Sequence, residues 1–335
     1  MAAESAGSAR TTGRGWFGDR SLSILLLAPS VILILVFVYG FIGTTLWISF
    51  SNWRTAVPDW SLADPLTSVY DRLFNTPRFQ TDLRNTVVFT VLFLIAAVGV
   101  GLLFALLLDN KFPGSVLFRN IFLFPYALSF IVTGVAWRWI FNPETGINLL
   151  FENLGINWLL GLVGLGPVKP RWLTNPEVLG DLRGVIPGLD GLFTQVGLPM
   201  AMVPVVIAAA WQLSGFAMAM YLAGLGTISG DIKEAAQLDG ASTWQVYTQI
   251  VIPLLKPITI STLIILGHVS LKIFDLIFAM SGSGPGFATD VPGIFIIEQT
   301  FRANRYDLGA AASIVMLMLV ALVIVPYLVR SMRDL

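Results

Sequence analysis

The stretch Lys233-Glu234-Ala235-Ala236-Gln237-Leu238-Asp239-Gly240-Ala241-Ser242-Thr243-Trp244, running on to Ile250-Val251-Ile252-Pro253-Leu254-Leu255-Lys256-Pro257, interrupts an otherwise apolar chain. Glu234, Ala235 and Ala236 are good helix formers, and the two alanines leave a low surface on which another protein can pack. Gly240 permits a sharp change of direction. Residues 241–252 can form a second short helix, which Pro253 and Pro257 separate from the next apolar run. The reading predicts a compact helix–turn–helix projecting from a membrane.

Around it the composition is that of a membrane protein. Of 335 residues, 56% are hydrophobic and 12% charged, about half the charge density of a soluble domain, and the mean hydropathy is +0.78. Twenty basic and twenty acidic residues cancel, so nothing points to nucleic acid. The absence of cysteine excludes disulfides, thiolate metal sites and a cysteine nucleophile. A single histidine excludes a histidine-rich metal site.

A spanning helix needs about 20 mostly apolar residues. Six runs qualify, at 22–50, 86–108, 116–141, 201–226, 258–281 and 309–330, which predicts an all-α integral membrane protein of six transmembrane helices over 21–335. Residues 1–20, rich in Ser, Gly, Thr and Ala, read as a disordered tail. Arg10, Arg14 and Arg20 imitate a targeting peptide, but the apolar run behind them continues to Phe50 with no small-residue cleavage site. Pro125 lies inside the third run, and the carbonyl it frees should face protein rather than lipid. Residues 142–200 are semi-apolar and hold runs too short to span, such as Asn148-Leu149-Leu150-Phe151, expected as interfacial helices. With the N-terminus inside, the inner segments carry Arg10, Arg14, Arg20, Lys111, Arg119, Lys233, Lys256, Arg330 and Arg333, a weak positive-inside bias.

The Glu-Ala-Ala triplet, Gly240 four residues beyond the second alanine, Ile250 and then Pro253 resemble the EAA signature of ABC importer permeases, in the fourth loop where that family carries it. The resemblance covers about residues 22–330 and implies the type I ABC importer permease fold. In the family this loop, here 227–257 with Glu234, Ala235, Ala236, Asp239, Gly240 and Ala241, docks into a groove on a cytoplasmic ATPase. The resemblance thus implies a multi-pass protein of the cell (cytoplasmic, inner) membrane with both termini cytoplasmic. It also implies a heterotetrameric core: a second homologous permease subunit and two copies of the ATPase, fed by an extracytoplasmic sugar-binding protein. Members often carry Ile-Pro before the motif where this chain has Ser229-Gly230, which should loosen the entry turn. No G-x-x-x-x-G-K-[ST] phosphate loop is present, so this chain holds no cofactor, and ATP and Mg belong to the partner subunits.

Phe122 to Ser129, Trp137 to Pro143, Trp211 to Met220 and Gly267 to Leu276 look like carbohydrate-uptake permeases of the maltose type, nearest the glucose/mannose branch, with residues 178–199 an extra stretch relative to that branch. By that resemblance Gln212 and Phe216, with Ser270, Lys272 and Asp275, fall on the sugar path, Tyr126, Trp137 and Trp211 being weaker candidates. Amide, hydroxyl and carboxylate groups suit sugar hydroxyls, and an aromatic ring suits the apolar sugar face. Independently, His268, Lys272 and Asp275 at i, i+4 and i+7 would share one helix face, and two charges in a spanning helix need a partner or an aqueous path. They read either as path-lining groups or as a structural pair. Two other classes compete. A membrane-embedded glycosyltransferase-type enzyme would need acidic or histidine clusters that are not evident. A secondary transporter would show internal repeats and would not need the EAA loop.

Overall fold

The computed structural model describes residues 19–109, 112–162, 169–187 and 189–331. Most of the tail read over 1–20 therefore lies outside the described residues, as do Lys111 and Arg333 from the charge count. The chain divides into two units, 1–47 and 48–335. The described part of the first is in essence one apolar helix, α1 (Ser23–Ile48), with Pro29 near its start and a π-helical turn over Leu35–Gly40.

The second unit is a helical bundle. In chain order it comprises α2 (Ser68–Phe74), α3 (Pro77–Asp109), α4 (Ser115–Leu123), α5 (Phe130–Ile140), α6 (Ile147–Asn153) and α7 (Ile156–Leu162). Next come strands β1 (Val178–Leu179) and β2 (Leu198–Pro199), then α8 (Met202–Leu225), α9 (Gly230–Leu238), α10 (Thr243–Leu254), α11 (Lys256–Leu271), α12 (Asp275–Met280), α13 (Pro292–Ile297) and α14 (Tyr306–Ser331). Among the described residues four helices, α1, α3, α8 and α14, are each long and apolar enough to cross a membrane, and the number reaches six if each of two bent pairs is one span.

The axis of the bundle is the contact between α3 and α8. Phe89, Phe93, Ala97, Gly101 and Ala105 recur every fourth residue of α3 and are all buried. The last three make a small-residue stripe that lets backbones approach, which is how helices associate where lipid removes the hydrophobic drive. A Cβ on Gly101 would stand 2.9 Å from both the Met218 nitrogen and the Ser214 carbonyl of α8. On the opposite side Val87, Val91, Ile95, Leu103 and Leu107 keep the same four-residue spacing and are 51–68% exposed. One period thus sorts α3 into a protein face and a bare apolar face.

The third expected helix is not continuous. Its two halves, Ser115–Ala127 and Phe130–Ile140, meet at 101°. Pro125 has no N–H to extend the first half, and Ser129 starts the second as a cap, its Oγ accepting from the Val132 nitrogen at 3.3 Å. The expected fifth helix over 258–281 also breaks. α11 ends at Leu271, Lys272 has φ −114° and ψ 20°, and Phe274 precedes α12 with φ −135° and ψ −56°. A single face carrying His268, Lys272 and Asp275 therefore does not exist. At its start the proline reading holds: α10 and α11 meet at 59°, between Pro253 and Pro257.

At the end of α3 far from Asp109, buried charges tie the connections down. Arg78 donates to Asp290 at 2.6 Å and reaches Glu298 at 2.7 Å. Asp307 is fully buried and receives Arg72 at 2.9 Å, Arg54 at 3.3 Å and Arg305 at 3.5 Å. Residues 178–199, expected as an extra stretch, leave and return through the antiparallel pair β1–β2. Within this stretch the bonds from Arg183 to Asp181, as short as 2.6 Å, hold that carboxyl down at about 2.

Candidate functional site

Residues 230–254 fold as a hairpin of two helices, α9 and α10. Its closure explains the spacing of the signature. The Ala241 nitrogen donates back to the Ala236 carbonyl and the Gly240 nitrogen to Gln237, each at 3.0 Å, with Gly240 at φ +90°. This is a Schellman end, whose reach fixes glycine four residues beyond the second alanine. Asp239 is the C-cap of α9. Ser242 then opens α10 with a capping box: the Ser242 nitrogen donates to Gln245 Oε1 at 2.8 Å while Ser242 Oγ accepts from the Gln245 nitrogen at 3.4 Å. At the entry turn, where Ser229-Gly230 stands for the family's Ile-Pro, Ser229 Oγ accepts from the Asp231 nitrogen at 3.2 Å and so caps α9.

Ala236 and Ala241 pack against a cluster of Met218, Tyr221, Leu225, Val246, Val251 and Leu255, while Glu234, Ala235, Asp239 and Gly240 are exposed. The alanines therefore divide: Ala236 seats the hairpin and Ala235 faces outward. Leu238 is 89% and Trp244 76% exposed, two large apolar side chains flanking the Gly240 turn. The hairpin is latched to the bundle by a residue that the sequence reading did not single out. Asp109, the last residue of α3, accepts from Lys233 Nζ at 2.7 Å and from the Tyr247 hydroxyl at 2.8 Å. An acid at the end of a long apolar helix, with a lysine entering the polar 227–257 loop, was the available signal.

The residues named for the sugar path are dispersed. Gln212 is buried, and its Nε2 donates at 2.8 Å to the Leu128 carbonyl in the break between α4 and α5, while Oε1 has no partner among the described residues. Phe216 tilts against Tyr126 with ring centroids 5.4 Å apart. Trp211 meets Trp137 edge-on at 5.6 Å, and Trp137 stacks on Phe141 at 5.2 Å. Ser270 is buried and donates to the Gly267 carbonyl of its own helix at 2.8 Å. Lys272 and Asp275 are exposed, and among the described residues no ion pair joins them. The structure thus brings together Gln212 with the α4–α5 break, Phe216 with Tyr126, and Trp211 with Trp137; it does not join these to Lys272 and Asp275 by any hydrogen bond or ion pair. A cavity of about 460 Å³ opens near the aromatic cluster, lined by Arg138, Phe141, Asn142 and Ser281 among others. None of the residues named for the sugar path lines it.

Up to six apolar spans and one projecting hairpin define a polytopic membrane protein of the importer-permease class. Residues 97–334 match the family described as binding-protein-dependent transport system inner membrane component, and the chain belongs to that family. It is similar to a probable ABC transporter permease protein of Pyrococcus horikoshii, 36% identical over 317 residues that cover 94% of this chain and 97% of the relative. It is also similar to the xylose/arabinose import permease protein of Haloferax volcanii, 32% identical over 306 residues, 90% of this chain and 86% of the relative. Among solved structures, that of a bacterial ABC transporter involved in the import of the acidic polysaccharide alginate shares the fold with a TM-score of 0.70 at 22% identity, covering 93% of this chain and 95% of that one. The fold is that of a type I ABC importer permease, as the EAA resemblance implied. Membership of the family sets aside the enzyme and secondary-transporter readings.

Proposed function

We propose that this chain is a membrane-spanning subunit of an ATP-driven, binding-protein-dependent sugar importer working by alternating access. The hairpin faces the cytoplasm, both termini lie on that side, and residues 21–335 act as one permease domain. Two copies of an ATPase power it, a second homologous permease subunit completes the pathway, and an extracytoplasmic binding protein delivers the sugar. Glucose and mannose are the first candidates from the helix motifs, and pentoses come next, from the Haloferax volcanii relative. Trp211, Tyr126, Lys272 and Asp275 line the path at exposed faces with Phe216 beside them, and the buried Gln212, whose Oε1 has no partner among the described residues, joins them as an acceptor for a sugar hydroxyl when the α4–α5 break moves.

The observation that carries this reading is the hairpin itself. Its backbone is closed by its own caps and latched to α3 through Asp109, yet it holds Leu238 and Trp244 out to solvent. Large exposed apolar side chains on a rigid, polar loop mark a protein-docking surface. The test is ATPase activity of the complex of both permeases and the ATPase in proteoliposomes, with binding protein and a panel of glucose, mannose, xylose and arabinose. One sugar should stimulate hydrolysis and accumulate. Hydrolysis indifferent to every sugar, or uptake without the ATPase, contradicts the reading.

A further inference from the structure

The extra stretch and the far end of α3 together enclose an apolar cleft that transport does not account for. Its volume is about 370 Å³, and Leu83, Val87 and Val88 of α3 face Leu189, Leu192 and Val196 across it. A neighbouring, more polar cavity of about 260 Å³ is lined by Thr81, Phe193 and Gln195 and shares Arg84 and Thr194 with the first. The two cavities adjoin at Arg84 and Thr194, apolar on one side of that boundary and polar on the other.

Three observations say what fits them. First, the cleft sits at the head of the bare apolar stripe of α3, since Val87 belongs both to the cleft and to the series Val91, Ile95, Leu103 and Leu107. A chain lying along that stripe enters the cleft without leaving apolar surface. Second, Arg84 at the junction is held only by neutral acceptors: Nη1 donates to the Gln195 carbonyl at 2.8 Å, and Nη2 and Nε to Asn85 Oδ1 at 2.8 and 3.1 Å. It makes no ion pair with a carboxylate among the described residues, and a guanidinium carries five donors, so charge and donors remain for an anion. Asp82, two positions earlier, is buried toward Asp290 and acts on Arg84 only through space, with no hydrogen bond or ion pair between them among the described residues. Arg183, the other arginine of the region, is committed to Asp181 at 2.6 Å. Third, Thr81 and Thr194 are bonded to each other at 2.9 Å and Gln80 Oε1 accepts from the Phe193 nitrogen at 2.8 Å. These bonds pin the extra stretch to α3 and make the adjoining cavities a built feature.

We infer that this pair of cavities holds an anionic phospholipid, one acyl chain between α3 and residues 189–196 and the phosphate against Arg84. The extra stretch is then a lipid clamp at the membrane boundary opposite the coupling hairpin. An arginine beside a membrane surface contributes about fivefold to binding an anionic lipid. Native mass spectrometry of the purified transporter complex, with added phosphatidylglycerol or phosphatidylcholine, reads this directly. The wild type should retain phosphatidylglycerol about fivefold better than phosphatidylcholine; Arg84→Gln should lose that preference and Arg84→Lys keep part of it. Leu192→Asp should release both lipids. A photoreactive side chain introduced at Leu192, in the complex within its membrane, should then label lipid. Equal retention of the two lipids by the wild type overturns the inference, as does an unchanged preference in Arg84→Gln. So does labelling of the second permease subunit from position 192, which would make the cleft a protein interface.

Discussion

Removing the Asp109 carboxylate should free the coupling hairpin while leaving the bundle intact. Asp109→Ala deletes two bonds to a charged acceptor, from Lys233 at 2.7 Å and from Tyr247 at 2.8 Å. The side chains of Asp109 and Lys233 are 16% and 24% exposed, so each bond is taken at the low end of the range for charged partners, about 1.5 kcal/mol. Together they give about 3 kcal/mol, or roughly a hundredfold in the local opening equilibrium. Hydrogen exchange of the amides in 231–250 should accelerate by up to about that factor, with little change in the amides of α8. Lys233→Met and Tyr247→Phe should each accelerate exchange by about tenfold, and neither should add to Asp109→Ala, because all three act through one carboxylate. In the reconstituted complex, the ratio of ATP hydrolysed to substrate moved should rise. Exchange in 231–250 within threefold of wild type would refute the latch.

The packing sets three further outcomes. Gly101→Leu places atoms where Met218 and Ser214 of α8 already stand; overpacking of this kind costs about 1–3 kcal/mol, read as a fall in melting temperature of the purified complex, whereas Gly99→Leu on the open face should be silent. Asp307→Asn leaves Arg54, Arg72 and Arg305 around a buried neutral group and should cost about 3–5 kcal/mol, with Arg54→Gln alone doing far less. For Lys272 and Asp275, which form no ion pair in this structure, a double-mutant cycle on stability with Lys272→Met and Asp275→Leu should give coupling below about 0.5 kcal/mol, and a larger coupling would restore the paired reading.

Much of the fold was legible because lipid-spanning helices announce themselves by length and apolarity. The runs at 22–50 and 201–226 became α1 and α8 within a residue or two. Where charge entered a helix the boundaries slipped. The run from 86 starts at Pro77 in the structure, since Arg78 is neutralised by Asp290 and Glu298 some 200 residues away, a pairing that local composition does not encode. The breaks were half legible. Pro125 signalled one; the Ser129 cap beside it is local, but the donation from Gln212 that satisfies the Leu128 carbonyl at the break comes from a helix far along the chain. At Lys272 nothing local marks the break in the apolar run, so helical spacing gave a polar face that the backbone does not make. The hairpin was read most completely because its geometry is local: the helix-forming triplet, the turn glycine and the separating prolines lie within one short segment, although the Ser242–Gln245 capping box in the same segment was not singled out.

The hairpin around Gly240 is, on this account, where ATPase motion enters the chain. Because the chain has no cysteine, Leu238→Cys introduces a unique thiol at its most exposed apolar position. In inside-out membrane vesicles holding the whole complex, a short cleavable reagent with one thiol-reactive and one photoreactive end should join position 238 to the ATPase subunit. It should stop sugar-stimulated hydrolysis when bridged, and release should restore it. A thiol at 238 that reacts with an impermeant reagent from outside intact cells, or one that never reaches the ATPase in a complex still transporting sugar, would contradict the account.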